Sequence, residues 1–275
     1  MKSKGSTRIL KYVTALIAFL IIIFPVYWMV ISSFKPKKDL LNPKIIPSSL
    51  TLENYVSAFR DYDILTYMKN SVVVTLLTVL LVTLIATLAA YAICFLKMRA
   101  TKFVMPLTYI VQILPGIVML LPLFTIYRFL GLQNSYTSLI LTYTASTMGI
   151  PVALIMMCGY FQGISKEIFE SASIDGASTF TAFWRILLPL GTSGIFCTAI
   201  YIFVITWQEF MFAANLITNP TMYTMPVGLQ MFVSSLTSDW GGMMAASTVI
   251  SIPAVILFVC IQNYFVDNLA GSVKE

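Results

Sequence analysis

Glu167, Glu170 and Asp175 fall within nine residues, EIFESASID, of a 275-residue chain that has only 11 acidic side chains. A further carboxylate, Glu209, stands in TWQEF at the end of the uncharged run 186–208. The chain has no histidine, which removes imidazole metal ligands, histidine general bases and Ser-His or Cys-His pairs together. GxxxxGK[ST], HExxH and GxSxG are also missing, so no P-loop, zinc-protease or hydrolase centre is written here. Cys94, Cys158, Cys197 and Cys260 form no CxxC and lie in apolar runs, where they read as small core residues. The chemistry left to the acidic stretch is recognition: charged and small groups offered to another molecule.

The elements that must present it follow from local rules. Ser165 is placed to cap a short helix whose first turn holds Glu167, at the positive end of the helix dipole. Ile168, Phe169 and Ala172 supply that helix with an apolar side for neighbouring helices, and Glu170 and Ser171 face away. Asp175-Gly176 stops it, because glycine takes the left-handed conformation that a helix end needs. A second helix, TFTAFWRILLPL, then leads on, with Arg185 at its edge. Small residues around the turn, including Ala172, Gly176 and Ala177, leave room for close approach of another protein.

Hydrophobic residues make up 59% of the chain and charged residues 10%, too few charges to cover a soluble domain of this size. Uncharged runs at 12–34, 70–96, 103–127, 186–208 and 240–266, with a span at 137–161, each suffice to cross a bilayer core of about 30 Å as helix. The first is too long for a signal-peptide core and is kept as a membrane helix. Six spans put both termini on one side, which collects ten Lys and Arg against seven on the other. The positive-inside rule makes that side the cytoplasm. The net charge of +6 therefore speaks of topology and lipid headgroups, not of nucleic acid. TLENYVSAFRDY reads as a short amphipathic helix on the membrane surface, KMRATK as a tight cytoplasmic turn, and 214–242 as an external loop long enough to be functional. Pro115-Gly116, one turn after Gln112, is expected to open a gap in the third span.

Glu170-Ser171-Ala172, three residues, Gly176, nine residues, Ile186, one residue and Leu188-Pro189 resembles the signature loop of binding-protein-dependent ABC importers. Ser171 stands where that family usually has alanine. SSFKPKKDLL, TLENYVSAF, TWQEF and YFVDNLAGSVKE are similar to the sugar-permease branch and to the smaller membrane subunit of maltose systems; Gln208 and Asn268 replace its usual Asn and Gly. The resemblance implies an all-α membrane protein of six transmembrane helices with the type I ABC importer (MetI-like) permease fold and a cytoplasmic coupling helix. It implies a tail, first helix and external loop over 1–66, a transmembrane core over 67–266 and a cytoplasmic tail over 267–275. Glu170, Ala172, Asp175, Gly176 and Ala177 would dock on the ATPase, with Glu170 facing a basic residue there. The implied partners are a second permease subunit, two ATPase subunits that bind the ATP, an extracytoplasmic solute-binding protein, the membrane lipid and a sugar. This chain would hold no cofactor of its own and would not be an enzyme. The loop 214–242 is the expected contact with the binding protein. Gln112, Tyr143, Trp207, Glu209 and Asn215 are the candidates along the substrate path, with Glu209 open to two readings, a gate or substrate contact and a helix-end charge. Polyol and phosphorylated-glycerol importers share the signature, and an ion-coupled secondary transporter is the rival outside the family.

Overall fold

The computed structural model describes residues 4–40, 44–96, 101–233 and 238–271; most of the basic turn KMRATK, the loop tip 234–237 and the tail end 272–275 lie outside them. The described residues form helices and no strand: α1 (Lys4–Ser33), α2 (Glu53–Asp61), α3 (Ile64–Phe95), α4 (Thr101–Ile113), α5 (Gly116–Phe129), α6 (Tyr136–Ala145) and α7 (Ile150–Gln162). They continue as α8 (Glu167–Ile174), α9 (Thr179–Ala182), α10 (Leu188–Trp207), α11 (Met211–Leu216), α12 (Met225–Gly228) and α13 (Trp240–Gly271). A π-helical turn, Phe183–Leu187, joins α9 to α10.

The helices α1, α3, α13 and the continuous stretch Thr179–Trp207 are long and apolar enough to cross a membrane, and two bent pairs bring the count to six when each is one span. The run 103–127 reads as one crossing in the sequence, yet α4 and α5 meet at 100°. The cause is local: Pro115 has no N–H to continue α4, disfavours helix at Leu114 and sits in extended backbone ahead of α5. The pair α6 and α7 bends by 43°. There Gly149 is required by space, because a Cβ would overlap the carbonyl oxygens of Tyr143 and Thr144. Gln112 on α4 donates from Nε2 to the Thr147 carbonyl at 2.8 Å, satisfying a backbone acceptor that the break releases.

Contacts divide the chain into two units, residues 1–65 with 228–255 and residues 66–227 with 256–275. In the first unit α2 clasps the end of α1. Asn54 Nδ2 donates to the carbonyls of Ser33 at 2.9 Å and Lys35 at 2.8 Å, and Tyr55 Oη and Ser33 Oγ lie 2.7 Å apart. Lys35 reads as an external surface charge in the sequence; it is buried, 4.1 Å over the Trp28 ring, and donates to the Lys44 carbonyl at 2.8 Å. The helix α2 forms as expected, but its buried side carries Asn54, Ser57 and Ala58 while Val56 and Phe59 are exposed.

The second unit has two apolar cores. One joins α3, α7, the loop around Phe169 and the start of α10 through Ala86, Tyr91, Leu154, Phe161, Phe183 and Leu187. The other joins α3, α5, α6 and α11 through Val74, Tyr127, Leu139, Tyr143 and Phe212. Close packing of α7 on α10 depends on Gly191 and Gly194, where a Cβ would strike the rings of Phe161 and Tyr160. Of the four cysteines only Cys158 is fully buried, and Cys260 is exposed, so the reading as core residues holds for one of them without reserve. Gly149→Ala should destabilise the second unit by about 1–3 kcal/mol through overpacking, seen as a melting temperature several degrees lower in detergent.

Candidate functional site

The acidic stretch folds as its local signals dictate. The Glu167 N–H donates to Ser165 Oγ at 3.2 Å, which caps α8. At the other end Gly176 has φ +82°, and the Ala177 N–H donates to the Ala172 carbonyl at 2.9 Å. That six-to-one bond with glycine at the left-handed position is a Schellman stop. Ser178 then caps α9, accepting from the Thr181 N–H at 3.2 Å. Between the caps, Glu170, Asp175 and Gly176 are exposed, Ala172 and Ala177 are half-buried, and no ion pair among the described residues engages Glu170 or Asp175. Ile174 is 86% exposed and Phe180 73%, two large apolar side chains beside the free carboxylates.

The loop is held to the bundle by aromatic rings. Phe169, 8% exposed, has its ring centroid 4.2 Å from that of Phe95 and 6.4 Å from that of Tyr91. Tyr91 also lies 5.2 Å from Phe183 and donates its hydroxyl to the Thr179 carbonyl at 2.9 Å. The last turns of α3 thereby grip both halves of the stretch. Sequence reasoning places Phe169 on the inward side correctly. It puts Ile168 inward as well, but Ile168 is exposed, because the short helix presents only one residue per turn to α3. Tyr91 and Phe95 escape it entirely: at i, i+4 in an apolar run they look like any core pair. A 350 Å³ hollow lined by Cys94, Phe95, Lys166, Phe169, Glu170 and Ile174 lies alongside.

A second constellation occupies the far end of α10, which at about 1.5 Å per residue is roughly 30 Å from the loop. An open pocket of 540 Å³ is lined by Gln112, Thr147, Tyr201, Gln208, Glu209 and Phe210, with Met148, Val152, Ile205 and Met211. Glu209 is 6% exposed. Its Oε1 accepts from the Phe212 N–H at 2.8 Å, and its Oε2 accepts from the Tyr143 hydroxyl at 2.6 Å and the Ala213 N–H at 3.2 Å. Three donors hold the carboxylate, two of them backbone N–H groups in the first turn of α11, so Glu209 is neither a loose interfacial charge nor unpartnered.

Of the five path candidates, Gln112 and Glu209 line this pocket and Tyr143 stands behind Glu209 as its donor. Trp207 is buried, stacks on Phe203 at 5.3 Å and is not among the lining residues. Asn215 is exposed and donates to the Met211 carbonyl at 2.7 Å, likewise outside the lining. Thr147, Tyr201 and Phe210 were not singled out by the sequence; nothing in their spacing sets them apart from packing residues.

The first part of 214–242 is tied down within the second unit. Asn134, with φ +52°, accepts through Oδ1 from the Thr218 N–H at 2.6 Å, the Thr218 hydroxyl at 2.9 Å and the Asn219 N–H at 3.1 Å. Asn70 Nδ2 donates to the carbonyls of Thr221 and Tyr223 while its Oδ1 accepts from the Tyr136 hydroxyl, and Ser71 Oγ accepts from the Met225 N–H.

The described residues thus form several membrane-length helices with a capped, exposed loop between two of the spans. Residues 82–270 match the profile of the binding-protein-dependent transport system inner membrane component, and the chain belongs to that family of multi-pass membrane proteins. It is 39% identical over 255 residues to a probable ABC transporter permease protein, YurM, of Bacillus subtilis, covering 92% of this chain and 84% of that one. It is 33% identical to the trehalose/maltose transport system permease protein MalG of Thermococcus litoralis, covering 100% of this chain and 99% of the relative. Its fold matches a crystal structure of a bacterial ABC transporter involved in alginate import with TM-score 0.81 at 20% identity, covering 96% of this chain and 99% of that one.

Tyr143→Phe should leave the Glu209 carboxylate short of a buried donor and cost about 1.5–3 kcal/mol, the range for a hydrogen bond to a charged group. Thermal unfolding of the purified protein, compared with wild type, checks it.

Proposed function

We propose that this chain is the permease subunit of an ABC importer that brings a sugar or oligosaccharide into the cell, driven by separate ATPase subunits through the loop 165–189. The observation that carries this reading is the end-to-end match to the Thermococcus litoralis trehalose/maltose permease within a family defined by binding-protein-dependent transport. The protein resides in the cell membrane with both termini in the cytoplasm, and works with a second permease, two ATPase subunits and an extracytoplasmic binding protein.

The mechanism follows from the contacts. Glu170, Ala172, Asp175, Gly176 and Ala177 form the surface that docks on the ATPase. Exposed Ile174 and Phe180 support that role, since burying one large apolar side chain is worth about 1.5–3 kcal/mol. Closure of the ATPases displaces α8; Phe169, packed against Phe95 and Tyr91, passes that displacement to α3, and the chain that follows α9 passes it to α10. The helices then reorient about the pocket at the other end of α10. Asn70 and Asn134 hold the start of the 214–242 loop firm, which suits it to meet a binding protein and displace its sugar.

Gly176→Asp places a side chain at φ +82°, where L-residues are strained, and adds a charge to the docking turn. It should abolish uptake while the chain still inserts in the membrane; uptake at the wild-type rate would remove the coupling role. Phe169→Leu keeps an apolar plug but loses ring contact with Phe95. The expected result is ATP hydrolysis retained with at least tenfold less sugar moved per ATP in proteoliposomes.

A further inference from the structure

The pocket at the end of α10 has a polarity that narrows the substrate class. Its polar groups are Gln112, Thr147, Tyr201, Gln208 and Glu209, and its lining contains no lysine or arginine. Tyr201 and Phe210 are exposed, adding ring faces beside those hydrogen-bonding groups. Aromatic faces together with amide, hydroxyl and carboxylate groups suit a polyhydroxylated ring. Its 540 Å³ falls within the range of about 300–1,000 Å³ typical of small-molecule sites.

The carboxylate is what discriminates. A Glu209 that merely capped α11 would need its oxygens only on the backbone side. Instead Oε2 is filled by Tyr143 and Ala213, whereas Oε1 holds one bond, to Phe212, and keeps a lone pair while the residue lines the pocket. A carboxylate fixed by three donors is an immobile acceptor that takes a hydroxyl hydrogen well and repels an anion. With like charges about 5 Å apart at an effective dielectric of about 20, repulsion lowers occupancy by a factor on the order of a hundred.

We infer that Glu209 is a substrate-contacting specificity residue that accepts a hydroxyl of an uncharged sugar and disfavours uronates and phosphorylated solutes. The inference rests on the importer reading above and selects among its alternatives, setting a neutral sugar over phosphorylated glycerol. Gln112, whose Nε2 already serves the Thr147 carbonyl, retains its amide oxygen and second N–H for the same ring.

The test uses the whole complex (this chain, its partner permease, the ATPase subunits and the binding protein) in proteoliposomes offered maltose, trehalose, diacetylchitobiose or the anionic disaccharide digalacturonate. Wild type is expected to carry one or more of the three neutral sugars and not digalacturonate. Glu209→Gln should lower the sugar moved per ATP about tenfold, the effect of losing one hydrogen bond to a charged acceptor, so that transport falls more than the hydrolysis stimulated by loaded binding protein. A purely structural role would instead lower stimulation and transport together, and Tyr143→Phe, which disturbs the carboxylate from behind, shows what that looks like. Transport of digalacturonate at the neutral sugars' rate, or unchanged sugar per ATP in Glu209→Gln, overturns the inference and leaves the importer reading standing. Active ATPases with none of the four sugars carried by wild type would take away the sugar reading, and this inference with it.

Discussion

The packing of Phe169 against Phe95 and Tyr91 is the contact on which the rest of this protein depends. Apart from Ile168 and Ile174, the exposed residues of the acidic stretch are polar, and α8 is only eight residues long. A helix of that length does not hold together in water unaided. It is ordered because its caps close both ends and because one ring plugs it into α3. The same tyrosine that receives Phe169 also binds the Thr179 carbonyl, so α8 and the entry to α10 are tied to one place on one helix. Force delivered to such a loop has somewhere definite to go.

From that attachment the chain runs without interruption through the π-turn and α10 to the pocket around Glu209. A membrane interior makes such a rod easy to build and makes any break in it costly, since backbone groups released in lipid have no water to turn to. Among the described residues two spans are broken, and both breaks are answered. Pro115 brings no N–H to lose, and Gln112 supplies the Thr147 carbonyl with a donor where Gly149 turns the chain. Glu209 solves the corresponding problem for donors: the N–H groups of Phe212 and Ala213, in the first turn of α11, point at a carboxylate two residues past the end of α10. Breaks and their remedies fall together around one pocket, which is how a membrane protein acquires a polar cavity without exposing bare backbone.

The comparison between what can be read along the chain and what is seen is instructive element by element. The acidic stretch was legible at its first cap, Ser165, and its stop, Gly176, because caps and stops act within a few residues, whereas the cap of α9 by Ser178 was not read. Helix α2 was legible as a helix, yet its inward side was not. An apolar stripe would have pointed to Val56 and Phe59, whereas the buried residue is Asn54, chosen by the carbonyls of Ser33 and Lys35 that need its amide. Lys35 looks like an exposed charge in a basic loop and is buried over Trp28. Trp207 and Asn215 looked as suited to a sugar as Gln112 did; in the structure Trp207 stacks on Phe203, Asn215 bonds the Met211 carbonyl, and neither lines the pocket.

The sequence by itself determined the apolar spans, the family, and the capped acidic loop between the fourth and fifth spans, because hydrophobicity and backbone preference are properties of neighbours in the chain. Only the tertiary structure decided that α4 and α5 meet at 100°, that Phe169 meets Phe95, and that Glu209 takes a hydrogen bond from Tyr143, 66 residues away. Those outcomes depend on which buried donor or ring happens to face an unsatisfied partner, and that pairing exists only once the helices have packed.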